Sequence, residues 1–308
     1  MKAVRLHGRG GPSQLVYEEA PPPQPGPGEV LARVGASGVI ANELEWDETY
    51  QTVDGAPRPF PIPGHDLSEV VAEVGPGVTD LAMGDAVYAL IAFGRDGADA
   101  DYVIAQPSEL APRPRTLDDM QAAAVPLSAL TAWQALFIHG GLSSGQTALI
   151  HGAAGGVGVF ATQLARWKGA RVITTASARN ADFVRALGAD EVIDYATTRF
   201  EDVVHDVDVV FDTVGGDTLA RSWQVVKPGG ALVSVVSPLS GPPVRADIRY
   251  SYFIVEPSSA QLREIGALID AGQLRPVVDQ VFPLAQARQA YEAAASGHPR
   301  GKIVITVG

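Results

Sequence analysis

The sequence predicts a two-domain α/β protein: a small β-rich domain, then a doubly wound parallel sheet covered by helices. Three observations carry this prediction. From Gln146 onward, apolar strands alternate with helical stretches, the order that right-handed β–α–β crossovers require. A glycine cluster at 152–158 sits between an apolar strand and a helix. Before residue 116, short apolar runs alternate with Gly and Pro turns, the spacing of a small barrel or sandwich.

In the first part the runs are 30–34, 70–74, 86–90 and 101–105. The Pro-rich segment 20–28 reads as a rigid surface connection; a ligand for a proline-recognising domain is the alternative. Near Thr116 the pattern turns helical, with Thr116 and Asp119 placed as a capping pair. Pro126 is expected to split this stretch and Gly140-Gly141 to end it. Strands are expected at 147–151, 171–175, 191–194, 208–211 and 231–236, and helices at 157–168, 181–187, 217–226 and 258–271. The tail holds a helical stretch at 284–295 and a strand at 302–307, completing either the parallel sheet's edge or the first domain. The expected boundaries are 1–121 for the first domain and 122–275 for the second, with 276–308 returning to the first.

Composition narrows the function. A chain of 308 residues, 46% hydrophobic and 19% charged, can bury a sizeable core and is not a disordered type. Its 35 acidic residues outnumber 23 Lys and Arg, for a net charge of -12. That field repels phosphate backbones and anionic lipid, so neither nucleic acid nor a membrane surface is expected as a partner. Cys is absent, which removes disulfides, thiolate nucleophiles, Cys-based zinc sites and iron–sulfur clusters. The opening MKAVRLHGRGGPSQL has no apolar h-region, so no signal peptide and a cytoplasmic location are expected. From Met120 to Ala165 there is no charged side chain, but Pro126 and the glycines interrupt any run long enough to span a membrane. Buried core beside a site that repels negative side chains is the better reading.

The motif with most chemistry is Leu149-Ile150-His151-Gly152-Ala153-Ala154-Gly155-Gly156-Val157-Gly158. It follows a strand and opens a helix, as a dinucleotide-binding turn must. Glycines let the backbone approach a pyrophosphate, and the helix N-terminus adds unpaired N–H groups. Gly152, Ala154, Gly155, Gly156 and Val157 are therefore candidate cofactor residues. The next strand ends Thr174-Thr175-Ala176-Ser177-Ala178-Arg179-Asn180, without the acid that bonds an NAD ribose. Ser177 can donate to a 2′-phosphate, Arg179 can pair with it as a charged fork, and Tyr195 can add a hydroxyl. The expected cofactor is NADPH.

AAGGVG followed by QLA, then LGADEVIDY, FDTVGG and KPGGALV, resemble the medium-chain dehydrogenase/reductase superfamily. PGPGEVLARV, GHDLSEVVAEVGPGV and GDAVY resemble its amino-terminal GroES-like domain. The chain is similar to the zinc-free quinone oxidoreductase branch. The resemblance implies a GroES-like β-barrel substrate domain, a Rossmann domain, a cleft between them, and a homodimer through a Rossmann edge strand. It also implies that Thr131 faces the cofactor near its nicotinamide end and that Val214 and Gly215 line its path. Phe253, Ile254 and Val255 then lie near the nicotinamide, and Lys302 approaches the cofactor. Zinc members have Cys in a G-x-C segment and His in GHE. Here Gly38-Val39-Ile40 and Gly64-His65-Asp66 stand instead. Ile40 cannot ligate, and His65 with Asp66 is too small a set, so no metal is expected and that corner becomes apolar.

Without a Lewis acid, hydride adds most readily to an activated acceptor, such as a quinone or an α,β-unsaturated carbonyl. A natural-product intermediate of that kind is one form it can take. The developing oxyanion needs a hydrogen bond. Candidate donors are Tyr50, Asn42 and Tyr252, and Trp46 and Phe93 are candidate walls for a planar substrate. Glu43 stands open between structural and catalytic roles. The Tyr–Lys pair of short-chain reductases, a Gly-x-Ser-x-Gly elbow and a His-Glu-x-x-His motif are all missing. The reading is a zinc-independent NADPH-dependent reductase. The alternatives are a carbonyl or imine reductase, and a weakly catalytic NADPH-binding sensor or structural protein.

Overall fold

The computed structural model describes residues 1–40, 42–52, 54–238, 244–296 and 299–308. In chain order the strands are β1 (Lys2–Leu6), β2 (Leu15–Glu19), β3 (Val30–Gly38), β4 (Asp66–Val74), β5 (Ala86–Leu90), β6 (Tyr102–Ala105), β7 (Leu110–Pro112), β8 (Thr147–His151), β9 (Arg171–Ala176), β10 (Glu191–Asp194), β11 (Val207–Asp212), β12 (Val226–Ser234), β13 (Arg249–Tyr252), β14 (Val278–Pro283) and β15 (Lys302–Thr306). The α-helices are α1 (Asp47–Tyr50), α2 (Asp119–Ala123), α3 (Pro126–Trp133), α4 (Gly156–Trp167), α5 (Ala181–Ala186), α6 (Gly216–Ser222), α7 (Ser259–Asp270) and α8 (Ala287–Ser296). Residues 1–127, 256–272 and 276–308 make one compact unit; residues 128–255 and 273–275 make a second.

The second unit holds a six-stranded sheet in the order β10-β9-β8-β11-β12-β13. Every neighbouring pair runs parallel. Its central strands read as nearly unbroken apolar runs because both faces are covered; Leu149, Val210, Phe211 and Leu232 are fully buried. The chain first adds strands outward from β8 to β10, then returns to add β11, β12 and β13 on the other side. The order therefore reverses between β8 and β11, and open α/β sheets bind ligands outside the carboxyl ends of their strands at such a point.

The first unit carries a sheet in the order β14-β15-β3-β4-β5-β7, with β6 also pairing with β3 and a separate β1-β2 ribbon. Neighbours are antiparallel except β14 and β15. Leu6, Val34, Leu67, Leu110, Tyr291 and Ile305 share its core. The tail inserts here, with β15 laid along β3 so that Val304 faces Gly38.

Three local expectations change. Asp118, not Thr116, caps α2: its carboxylate accepts from Gln121 N–H at 2.8 Å, and the Gln121 side chain bonds back. Thr116 instead donates to Asp270 from its amide and its hydroxyl. The helix expected over 217–226 stops at Ser222, because Val226 already pairs with Val207 of β11. Helix α7 belongs to the first unit rather than the second, anchored where Tyr88 donates to the Leu262 carbonyl. No helix among the described residues is long and apolar enough to cross a membrane.

Candidate functional site

In the second unit, Gly152 takes φ 73°, which turns the chain sharply off β8. A Cβ at Gly158 would stand 2.2 Å from the Gly152 carbonyl oxygen, so only glycine lets α4 pack this close to the turn. Gly155 is the N-cap of α4, with no side-chain cap. The first-turn amides of Gly156, Val157 and Gly158 therefore lack intrahelical acceptors. A Cβ at Gly155 would meet only the Gly152 oxygen, at 3.6 Å. The turn thus brings Gly152, Ala154, Gly155, Gly156 and Val157 to an open, positively polarised helix start. That cradle fits the pyrophosphate of a dinucleotide.

His151 ends β8 directly beneath this turn and is fully buried. The Ser222 hydroxyl donates to the Thr218 carbonyl at 2.7 Å, so its oxygen accepts from His151 Nε2–H at 3.1 Å. Nδ1 is then free to accept from the Thr175 hydroxyl at 3.0 Å. Burial, aided by the Arg221 charge, pushes the imidazole down to about 3. The ring is neutral and satisfied, a brace for the turn. Nothing in the sequence distinguished it from a reactive histidine.

The strand ends on either side of the turn differ in character. Toward β9 and β10 they are polar. Ser177 follows β9 half-buried, Arg179 is exposed beyond it, and Tyr195 is exposed after β10. Tyr195 N–H reaches the Ala176 carbonyl at 3.4 Å, so the structure brings the two loops together. Asp194, which ends β10, accepts from Ala196 N–H at 3.1 Å and shapes its own turn. Toward β11, β12 and β13 the ends are apolar: Val214, Val236, Tyr252 and Ile254 are all exposed there. Phe253 is half-buried and Val255 buried. One half of this edge is therefore polar and the other apolar.

Asp212, which the sequence reading passed over inside FDTVGG, shapes the apolar half. Fully buried, it accepts from Val214 N–H at 3.1 Å, Gly215 N–H at 3.0 Å and the Ser234 hydroxyl at 3.0 Å. Gly215 then lies so close to Val236 that a Cβ would come within 2.7 Å of it. Thr131 is buried on α3 of the same unit.

The first unit carries the other candidates. Trp46 and Phe93 are half-buried and meet edge to face at 5.0 Å, with the His65 ring 5.3 Å behind Phe93. Ile40 is buried nearby in sequence, and Asn42 is exposed at the start of the turn 43–45. His65 Nε2 lies 3.1 Å from the Arg95 carbonyl, which can only accept, so that nitrogen carries a proton. His65 Nδ1 faces Glu43 Oε2 at 2.9 Å, and Gly64 N–H donates to the same oxygen at 3.2 Å. The Tyr291 oxygen contacts Glu43 and also Asp99, the latter at 2.9 Å. One hydroxyl has one proton, so one of those carboxyls must donate. Asp99 is that acid, since burial and the Glu43 charge push it up to about 8. Glu43 is thereby assigned a structural part, joining His65, Gly64 and Tyr291.

Two further candidates have their polar groups engaged inside the first unit. The Tyr50 hydroxyl donates to the Leu44 carbonyl at 2.7 Å, and the Arg9 guanidinium covers its ring at 4.3 Å. Its single proton is directed to that carbonyl. Lys302 is tied inside the first unit: its ammonium pairs with Asp66 at 2.9 Å and donates to the Val39 carbonyl at 2.9 Å. Burial raises the Asp66 carboxyl, and the Lys302 charge opposes that shift. Lys302 therefore braces β15 against Asp66.

The same contacts bear on zinc. Ile40 offers only carbon, both His65 nitrogens have partners, and Asp66 is paired with a cation. No three His, Asp or Glu side chains converge to hold a metal ion among the described residues. These residues do not fit a catalytic zinc, which needs three protein ligands.

Comparison with known proteins adds the family. The family described as "Zinc-binding dehydrogenase" matches residues 187–305, and the "Alcohol dehydrogenase GroES-like domain" matches residues 26–115. A "Probable zinc-binding oxidoreductase, mitochondrial" from Arthroderma benhamiae is 37% identical over 95% of this chain and 93% of its own length. The "NADPH-dependent alkenal/one oxidoreductase, chloroplastic" of Arabidopsis thaliana is 32% identical over 90% of this chain and 72% of its own. The solved quinone oxidoreductase from Coxiella burnetii matches with a TM-score of 0.90 at 32% identity, covering 100% of this chain and 99% of that one. The chain belongs to the medium-chain dehydrogenase/reductase superfamily, in its quinone-oxidoreductase-like branch.

Proposed function

We propose that this protein is a zinc-independent, NADPH-dependent reductase that delivers hydride to a quinone or an α,β-unsaturated carbonyl. The observation that carries this reading is the asymmetry of one sheet edge. A glycine turn stands at the switch point, with Ser177, Arg179 and Tyr195 on one side and exposed apolar side chains on the other. Relatives named as an NADPH-dependent alkenal/one oxidoreductase and a quinone oxidoreductase support it.

When bound, the nicotinamide supplies the hydride. The amides opening α4 would hold the pyrophosphate, and Ser177, Arg179 and Tyr195 the 2′-phosphate. Thr131, Val214, Gly215, Phe253 and Val255 would border the ring, keeping water from it. The Tyr252 hydroxyl makes no hydrogen bond among the described residues, so it is the donor we assign to the developing oxyanion, with Asn42 the remaining alternative. Trp46 and Phe93, with Ile40, give the first unit a flat apolar wall suited to a planar acceptor.

Chelator-treated protein, assayed for NADPH oxidation against a panel of quinones, enones, simple ketones and imines, tests the proposal. Turnover confined to the conjugated acceptors is expected. Turnover only of simple ketones or imines, or activity lost with stoichiometric zinc, would overturn it, and tight NADPH binding without turnover would favour a sensor. The proposal includes a homodimer formed through the exposed edge strand β13. Light scattering should give twice the chain mass.

A further inference from the structure

The segment 134–139, which continues α3, is a π-helix. Its wider turn is closed by Gly140 N–H donating to the Ala135 carbonyl at 2.8 Å. Such turns insert an extra residue and are often found at functional sites. Here the turn presents its last residues to the edge strand β13. Alternate residues of a strand share one face, and three successive residues of one face are engaged. Arg249 donates to the Gly140 carbonyl at 3.2 Å, and Ser251 Oγ meets His139 Nδ1 at 3.0 Å. Phe253 stacks on the His139 ring at 4.3 Å between centroids, 25° from parallel. The opposite face is occupied differently, with Tyr250 stacked on Trp223.

We propose that His139 is a positioning residue that sets Phe253 as a wall of the ring-binding half of the cofactor site. This rests on the dinucleotide reading above. Phe253 is the first residue beyond the carboxyl end of β13, on the apolar side of the switch point, beside exposed Tyr252 and Ile254. A dinucleotide laid across that point places its two halves on opposite sides. Its phosphorylated half has its polar partners at β9 and β10, so the flat ring falls to β11, β12 and β13. The stack from behind fixes the Phe253 ring plane, and the Ser251 bond fixes the imidazole that does so. His139 itself need not touch the cofactor.

The test compares NADPH with 2′-phospho-ADP-ribose, the same molecule without the nicotinamide. In His139→Ala, NADPH affinity should fall about tenfold, the combined effect of one aromatic pair and one hydrogen bond. Binding of 2′-phospho-ADP-ribose should stay within about twofold, well under one hydrogen bond's worth. His139→Phe, which keeps the stack, should recover most of the NADPH affinity and serves if the alanine variant folds poorly. Adding His139→Ala to Phe253→Ala should cost nothing further, because the action runs through Phe253. Unchanged NADPH binding in His139→Ala, equal losses for both ligands, or additive effects in the double variant would each overturn the assignment. Wild-type protein that binds neither ligand would overturn the dinucleotide reading itself, a separate and recognisable failure.

Discussion

Gly155 and Gly158 lie three positions apart in one motif, yet their replacement by alanine should have different consequences. At Gly155 the backbone has φ −78° and ψ 175°, accessible to any residue, and the new methyl would meet only one atom at 3.6 Å. Alanine is a poorer N-cap than glycine by about 0.5–1 kcal/mol. The stiffer unfolded chain returns about 0.4–1 kcal/mol. Net stability should change by about 0.5 kcal/mol or less, roughly 1 °C in Tm for a chain of this size. The methyl, however, stands before the free amides of α4. Losing two charge-assisted hydrogen bonds to the pyrophosphate removes about 3 kcal/mol or more, a factor of about 100 in Kd. At Gly158 the methyl would sit 2.2 Å from the Gly152 oxygen and 2.6 Å from the Ala153 Cα. Both are backbone atoms with no rotamer to relax into, so about 1–3 kcal/mol of strain should appear in the fold as well. Thermal unfolding without cofactor and fluorescence titration with NADPH separate the two effects. Near-wild-type NADPH affinity in Gly155→Ala would refute the placement of the pyrophosphate. Equal Tm losses in both variants would refute the packing account.

The remaining predictions concern single side chains. Arg179→Ala should raise the KM for NADPH by about one to two orders of magnitude and leave NADH nearly unchanged, since one charge-assisted contact is lost; steady-state kinetics with both cofactors decides this, and equal effects would return Arg179 to a supporting role. Tyr50→Phe should lower stability by about 1 kcal/mol, through the lost bond to the Leu44 carbonyl, without changing kcat/KM; a large kinetic loss would reinstate Tyr50 as a donor. Asp99 titrates near 8 in the fold against an ordinary 3.8, so the folded state holds a proton that the unfolded chain has released. Stability should therefore fall as pH rises across that window, by up to about 1.4 kcal/mol per pH unit, and Asp99→Asn should remove the slope between pH 6.5 and 8 in denaturant melts. His151 acts in the opposite sense: its value near 3 lies below the ordinary 6.5, so its own contribution falls as pH drops from 6.5 toward 3 and offsets that of Asp99 over the shared window; His151→Gln should remove the offset, so that stability falls with rising pH from about 4 onward.

Sequence alone determined what depends on neighbours along the chain. Strand and helix periods, the glycine turn that opens α4, and the missing acid after β9 are all local patterns. They sufficed for the parallel sheet and for the glycine turn at its switch point. Only tertiary structure decided which polar groups are already engaged, because that depends on pairs far apart in the chain. Lys302 meets the Val39 carbonyl across 263 positions, and Tyr88 meets Leu262 across 174. The first contact ties a cofactor candidate into the first unit, and the second marks α7's attachment to the β unit. Tyr50 shows the limit at shorter range: its hydroxyl finds the carbonyl of Leu44, six residues away, through a turn that no periodicity announces. His139 faced Phe253 only once a π-turn and an edge strand 112 positions away were brought side by side. A residue type declares which bonds it can make; the fold, by burying it beside a partner, determines which bond it makes.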